Sequence, residues 1–296
     1  MYQPVRAARR EQRAIRGLST RLTWWGEPSD TPVVLLHGFM DCGATWQFLV
    51  DCLPDSWSCV APDWRGFGGT EWAPGGYWFP DYLADLEALL AALVPAGRAR
   101  VIAHSMGANI AAMYAGIRPA GLGWIANLDG IGLPRLGADA APGRYERWLN
   151  ELIDPPRGSV YASVSQLTDV LVTRNTRLTR DRAEFIANAW SREAPDASGG
   201  LSLVFDPRHR LVNPVLYRRD EAEACWARMR TPMLLLTAGL SEFRSRLGED
   251  ASIERVRAHY RNLRIVSLPD VGHAMHHEDP LNVARHIVEF ERLCRE

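Results

Sequence analysis

The segment Val101-Ile-Ala-His-Ser105-Met-Gly107-Ala-Asn109 places one serine where an apolar run meets a helix-period run. Small residues two positions to either side, Ala103 and Gly107, are what a sharp strand-to-helix turn requires. Such a turn lifts the Ser105 hydroxyl above the carboxyl edge of a sheet, where open α/β sheets place their ligands. It also aims the Met106 N–H, at the start of the helix, toward a developing oxyanion. The plainer reading of Ser105 is an ordinary helix cap. A partner for it stands in Leu268-Pro-Asp-Val-Gly272-His273, past the last apolar run. A neutral histidine on a loop at that edge can take the serine proton and return it to a leaving group. Two carboxylates compete to orient it: Asp129, which ends the buried run 124–128, and Glu242, in Thr237-Ala-Gly239-Leu-Ser-Glu242. A carboxylate so close to a buried sheet needs a partner, and a His273 N–H would supply one to Asp129.

These residues need elements to hold them. Residues 12–25 alternate loosely around Gly17 and read as an N-terminal hairpin. Unbroken apolar runs follow at 32–36, 58–61, 100–103, 123–128, 233–236 and 265–268. Runs of this kind suit strands buried on both faces of a parallel sheet. Helix-period stretches at 44–53, 81–94, 107–116 and 280–294 lie between or after them. Alternating strands and helices predict an α/β fold with a mostly parallel, doubly wound sheet. The rhythm breaks between 133 and 229, which reads as a helical insertion (144–153, 160–173, 180–192) with no convincing strand, after strand six. Residues 1–132 and 230–296 are then the core domain, and 133–229 the insertion.

Composition narrows the class. The chain has 296 residues, 47% hydrophobic and 23% charged, with a net charge of −1. All 34 basic residues are arginine. No basic surplus exists to hold a nucleic acid, and no apolar run approaches the ~20 residues of a membrane span. The five cysteines are scattered without a CxxC pair, as expected of reduced thiols in a cytoplasmic protein. His273, His276, His277, Glu278 and Asp279 crowd seven positions and could suggest a metal site. No second cluster supplies further ligands, and the acids fit a helix start at Pro280. Neither a metal nor a cofactor is expected.

From Arg13 to Phe290 the chain resembles the α/β-hydrolase superfamily. The resemblance rests on His37-Gly38-Phe39-Met40, Pro62-Asp63-Trp64-Arg65-Gly66-Phe67-Gly68, the serine turn and Gly272-His273, in that order. It implies a Ser105 nucleophile, a His273 base and an oxyanion hole from the Phe39 and Met106 amides. It also implies that 133–229 is a cap. His37 is expected to brace its loop, and Asp63 to form a turn. Serine at the elbow speaks against dehalogenase and epoxide hydrolase chemistry. Most relatives carry the acid after strand seven, at Ser241 or Glu242 by different counts, whereas some branches carry it after strand six, at Asp129. Asp129 is preferred.

The function expected is a serine hydrolase that forms an acyl-enzyme on a small, apolar, ester-like substrate. A non-catalytic ligand-binding protein on the same fold, or a lyase or perhydrolase on the same triad, is the alternative. Trp46, Trp64, Trp148, Trp190, Phe205, Tyr217 and Trp226 are each assigned to packing. The aromatic content of the insertion nonetheless points to apolar acyl or alcohol groups.

Overall fold

The computed structural model describes residues 1–95, 97–194 and 199–295. Two antiparallel strands, β1 (Ala8–Ile15) and β2 (Leu18–Trp25), form the expected hairpin. Arg16 and Gly17, both at positive φ, make its two-residue turn. Then follow β3 (Val33–Leu36), a short helix α1 (Gln47–Val50), β4 (Cys59–Pro62) and α2 (Phe79–Leu93). β5 (Ala99–His104), α3 (Met106–Ile117) and β6 (Leu122–Leu128) complete the first half. The eight-stranded sheet has the order β1-β2-β4-β3-β5-β6-β10-β11, with β10 (Met233–Ala238) and β11 (Leu263–Leu268) joining after the insertion. Only the pairings of β1 with β2 and β2 with β4 are antiparallel.

Side-chain alternation explains why β3 is apolar at all four positions. In β3, Val34 and Leu36 face a core shared with Leu86, Leu89 and Ile110, while Val33 and Leu35 face one shared with Trp46, Leu49 and Ile287. A strand covered on both faces must be apolar at every residue. On one side lie α2 and α3; on the other lie α1 and the C-terminal helix α11 (Pro280–Arg295).

Between β6 and β10 lie α4 (Ala141–Ile153), β7 (Val160–Tyr161), α5 (Val164–Arg174), α6 (Arg180–Trp190), β8 (Ser191–Glu193), β9 (Leu201–Leu203) and α7 (Arg219–Arg228). The strands of this segment correct the sequence reading. They form a three-stranded antiparallel sheet, β7-β9-β8, from stretches of two or three residues, too short to show a period. Thus the expected helix at 160–173 begins only at Val164, and the one at 180–192 stops at Trp190. The last helix, α7, packs hard on α3: a Cβ at Gly116 would collide with the Cys225 carbonyl. After β10 come α8 (Glu242–Leu247) and α9 (Ile253–His259), and after β11 the single turn α10 (Met275–Glu278).

Two histidines tie the insertion and the C-terminal turn to the core. His209 stacks between Phe67 (3.9 Å) and Tyr77 (3.6 Å), and burial pushes its pKa down to about 4. Burial likewise pushes His277 down to about 3. Both fold as neutral rings, whereas the unfolded chain takes up protons near about pH 6.5. Their contribution to stability is therefore complete above that value and lost as pH falls toward 4 and 3. Unfolding free energies from urea titration should fall between pH 7 and pH 5 by on the order of 1–2 kcal/mol per histidine. His209→Phe should show a shallower decline. A free energy flat over that range, or equally steep in His209→Phe, contradicts the assignment.

Candidate active site

Ser105 sits between the end of β5 and the first residue of α3, at φ 50° and ψ −112°. A non-glycine residue held there is strained, and strain of this kind persists only where neighbours enforce it. They do so here by close contact. A Cβ at Gly107 would run into the Leu36 and His37 carbonyls, and one at Gly130 would lie 2.6 Å from the Ser105 carbonyl oxygen. The Ser105 N–H donates to the Leu128 carbonyl (3.0 Å), which fixes the elbow to the end of β6. Ala103 is fully buried in β5 between Leu36 and Asn127, so alanine fits where the turn motif has glycine.

His273 lies past β11 with Nε2 2.9 Å from Ser105 Oγ and Nδ1 2.8 Å from Asp129 Oδ2. Asp129 is buried, adopts φ 57°, and also accepts the Ala238 N–H at 3.3 Å. It thus bridges the carboxyl ends of β6 and β10. The arrangement gives each atom one role: the carboxylate accepts Nδ1–H, leaving Nε2 free to accept the serine proton. Glu242, the other candidate acid, is 91% exposed and faces Arg246. The next residue, Phe243, is the one that turns inward, with its ring 5.1 Å from that of His273. The structure brings Ser105, His273 and Asp129 together and leaves Glu242 in solvent.

The Phe39 and Met106 amides donate to no acceptor among the described residues. Both residues line a cavity of about 380 Å³ walled by Trp78, Phe79, Tyr82 and Trp148. A second cavity of about 320 Å³, lined by Met40, Trp72 and Phe205, contains neither amide. An oxyanion needs donors with nothing else to bond, and the first cavity adjoins the Ser105 turn through Met106. Arg208 reaches the same wall, but Asp206 (2.6 Å) and the Ala73 carbonyl (2.9 Å) hold it.

His37 braces the Phe39 loop. Its Nε2 accepts the Trp64 N–H at 2.9 Å and its Nδ1–H donates to the Gly38 carbonyl at 2.7 Å. Burial lowers its pKa, in keeping with an unprotonated Nε2. Asp63 is likewise structural, accepting from the Gly43 and Gly69 amides and from Arg21.

The histidine-rich run past β11 divides by role. Glu278 holds Arg177 (2.7 Å) and the Gly272 N–H (2.6 Å). His276 and His277 turn inward, away from Ser105, and lie against Asp41. Sequence reasoning missed His104, whose Nε2–H donates to the His273 carbonyl at 2.9 Å. Its place directly before Ser105 was the available signal. The sequence reading also found no second group of ligands beside this run. Asp41 and His104, 63 residues apart in the chain, lie beside His276.

A model of the alpha/beta hydrolase family matches residues 33–286. Among curated proteins, a serine hydrolase-like protein of Danio rerio is 27% identical over 90% of this chain and 83% of its own length. A 3-hydroxybutyrate-oligomer hydrolase of Cupriavidus necator is 26% identical over 88% of both. Among solved structures, a thioesterase domain from the curacin biosynthetic pathway superposes with a TM-score of 0.82 at 20% identity, covering 95% of this chain and 99% of the domain. An esterase from Mycobacterium tuberculosis superposes with a TM-score of 0.70 at 18% identity, covering 98% of this chain and 92% of that one. The family match spans both halves of the sheet and the segment between them: the chain belongs to the alpha/beta hydrolase family.

Proposed function

We propose that the protein is a serine hydrolase acting on small, neutral, apolar carboxylic esters through an acyl-enzyme on Ser105. The observation that carries this reading is the alignment of Asp129, His273 and Ser105 at 2.8 and 2.9 Å beside two unengaged amides. As Ser105 Oγ attacks the ester carbonyl, His273 Nε2 takes its proton and Asp129 stabilises the imidazolium. The Phe39 and Met106 amides receive the oxyanion. Collapse breaks the C–O bond, and the alcohol leaves with the proton from His273. Water, deprotonated in turn by His273, attacks the acyl carbon and frees the acid and Ser105.

Residues 133–229 act in this reading as a cap. Trp148 of α4 forms part of the wall of the cavity next to Phe39 and Met106. Aromatic walls favour apolar groups, and Arg208, already neutralised by Asp206, offers nothing to an anionic chain. The similarity to a 3-hydroxybutyrate-oligomer hydrolase over most of this chain supports the hydrolase part of the reading.

Ser105→Ala should abolish turnover of a short p-nitrophenyl ester, with a loss on the order of 10⁶ and an unchanged circular dichroism spectrum. Robust turnover by the folded variant, or a fluorophosphonate adduct on another residue, would refute the mechanism. Asp129→Asn should lower kcat by roughly 10⁴, while Glu242→Gln stays within about tenfold of the parent; the reverse pattern moves the acid to α8. Trp148→Ala should raise KM for aryl or long-chain esters more than for acetate esters. Equal effects on both would separate α4 from the binding pocket.

A further inference from the structure

Beneath the triad lies a second group of ionisable side chains that the proposed reaction does not use. Asp41, His104, His276 and His277 are each more than nine-tenths buried. A carboxylate oxygen of Asp41 and one ring nitrogen each of His104 and His276 lie within 4.8 Å of one another. The two oxygens of Asp41 differ sharply. Oδ1 accepts from the Cys42 N–H (2.8 Å), the Thr45 hydroxyl (2.7 Å) and the Trp190 indole (3.0 Å). Oδ2 faces His276 Nε2 and His277 Nε2, each at 3.7 Å, beyond hydrogen-bond reach.

The nitrogens are equally unserved. His104 Nδ1, both nitrogens of His276 and His277 Nε2 are buried without a hydrogen-bond partner. His104 Nε2 is committed to the His273 carbonyl at 2.9 Å, which leaves Nδ1 as its bare nitrogen. No arginine side chain pairs with Asp41 among the described residues. A buried carboxylate facing bare imidazole nitrogens lacks a cation, and a buried anion without one is costly.

We infer that Asp41, His104, His276 and His277 form a binding site for one divalent transition-metal ion of the zinc class. Imidazole nitrogen and carboxylate oxygen are the donors such ions take, at about 2.0–2.2 Å in tetrahedral sites. Donors around such an ion stand roughly 3.3 Å apart, so side-chain rotation has to close the 3.7 Å from Asp41 to each of His276 and His277 and the separations of up to 4.8 Å among Asp41, His104 and His276. The outer shell is also in place. Three donors fix Asp41 Oδ1, the His273 carbonyl fixes His104, and the Trp46 ring packs on His276 at 4.6 Å. Ligands oriented by such partners are what a metal site needs.

The inference is independent of the hydrolase reading, and binding decides it. Chelator-stripped, tag-free protein is dialysed against zinc(II) or cobalt(II) at micromolar concentrations and its metal content measured. One ion per chain is expected. Affinity should fall at least tenfold in His276→Gln and in Asp41→Asn, and remain unchanged in His286→Gln. The cobalt complex should show visible bands of a tetrahedral nitrogen–oxygen site with no thiolate charge-transfer band, and its melting temperature should exceed that of the stripped chain. If the buried variants do not fold, the cobalt spectrum of the unmutated chain decides. No uptake, uptake undiminished in folded His276→Gln, or a spectrum of thiolate or aqua coordination overturns the proposal. A protonated His276 with no metal uptake would show that a proton alone balances Asp41.

Discussion

The close approach of α3 to the end of β3 is the constraint on which the site depends. Ser105 is strained, and the structure holds it there because Gly107 lets the helix start touch the Leu36 and His37 carbonyls. The same contact sets Phe39, two residues beyond His37, opposite Met106, so one packing decision places both amides of the proposed oxyanion pair. Gly38 is part of it: a Cβ there would lie 2.7 Å from His104 Nδ1 and 3.2 Å from Ser105 Cβ. Three of the four non-glycine residues at positive φ among the described residues, Met40, Ser105 and Asp129, cluster around this junction. Backbone energy is concentrated where the chemistry is, and fully buried strands on both sides keep it from relaxing.

Charge is placed with the same economy. The site has no lysine to draw on, and the arginines near it are committed elsewhere: Arg208 to Asp206, Arg177 to Glu278, and Arg65 to Asp85 in a two-pronged pair at 2.6 Å. Asp129 therefore meets His273 without a competing cation. That leaves the imidazole as the group whose charge can change during a reaction, which is what proton transfer between serine and leaving group requires. Burial keeps His37, His104 and His277 neutral, so they would not oppose a charge gained by His273 in the proposed reaction.

The order of the parts was legible in the sequence because the parts are local. A serine between small residues, a glycine–histidine pair and fully apolar strand runs each carry their signal within ten residues. Asp129 needed more: its run reads as a strand end, but only the pairing of β6 with β10 brings it to His273. Glu242 was a fair competitor by counting, and the geometry separates the two because α8 turns Phe243 inward. The three short strands between β6 and β10 were not legible. Two- and three-residue strands pair across long stretches of chain and have no period of their own. The Asp41–His104–His276 group was hidden for a related reason: its members sit after β3, at the end of β5 and on α10, and share a location only once the sheet is assembled.

The insertion meets the core through aromatic rings more than through charge. His209 is clasped by Phe67 and Tyr77, while Phe39 meets both Phe67 and His209 edge-on at 5.7 and 6.0 Å. Phe67 belongs to the loop after β4, and Phe39 carries one of the two free amides. A displacement of His209 is thus felt at Phe39 through direct ring contacts, without an intervening hinge. Stacked and edge-on rings constrain orientation more tightly than aliphatic contacts of the same area. The segment that walls the cavity and the amide that would receive the oxyanion are therefore parts of one packed unit, and what fits against the wall also bears on where that amide points.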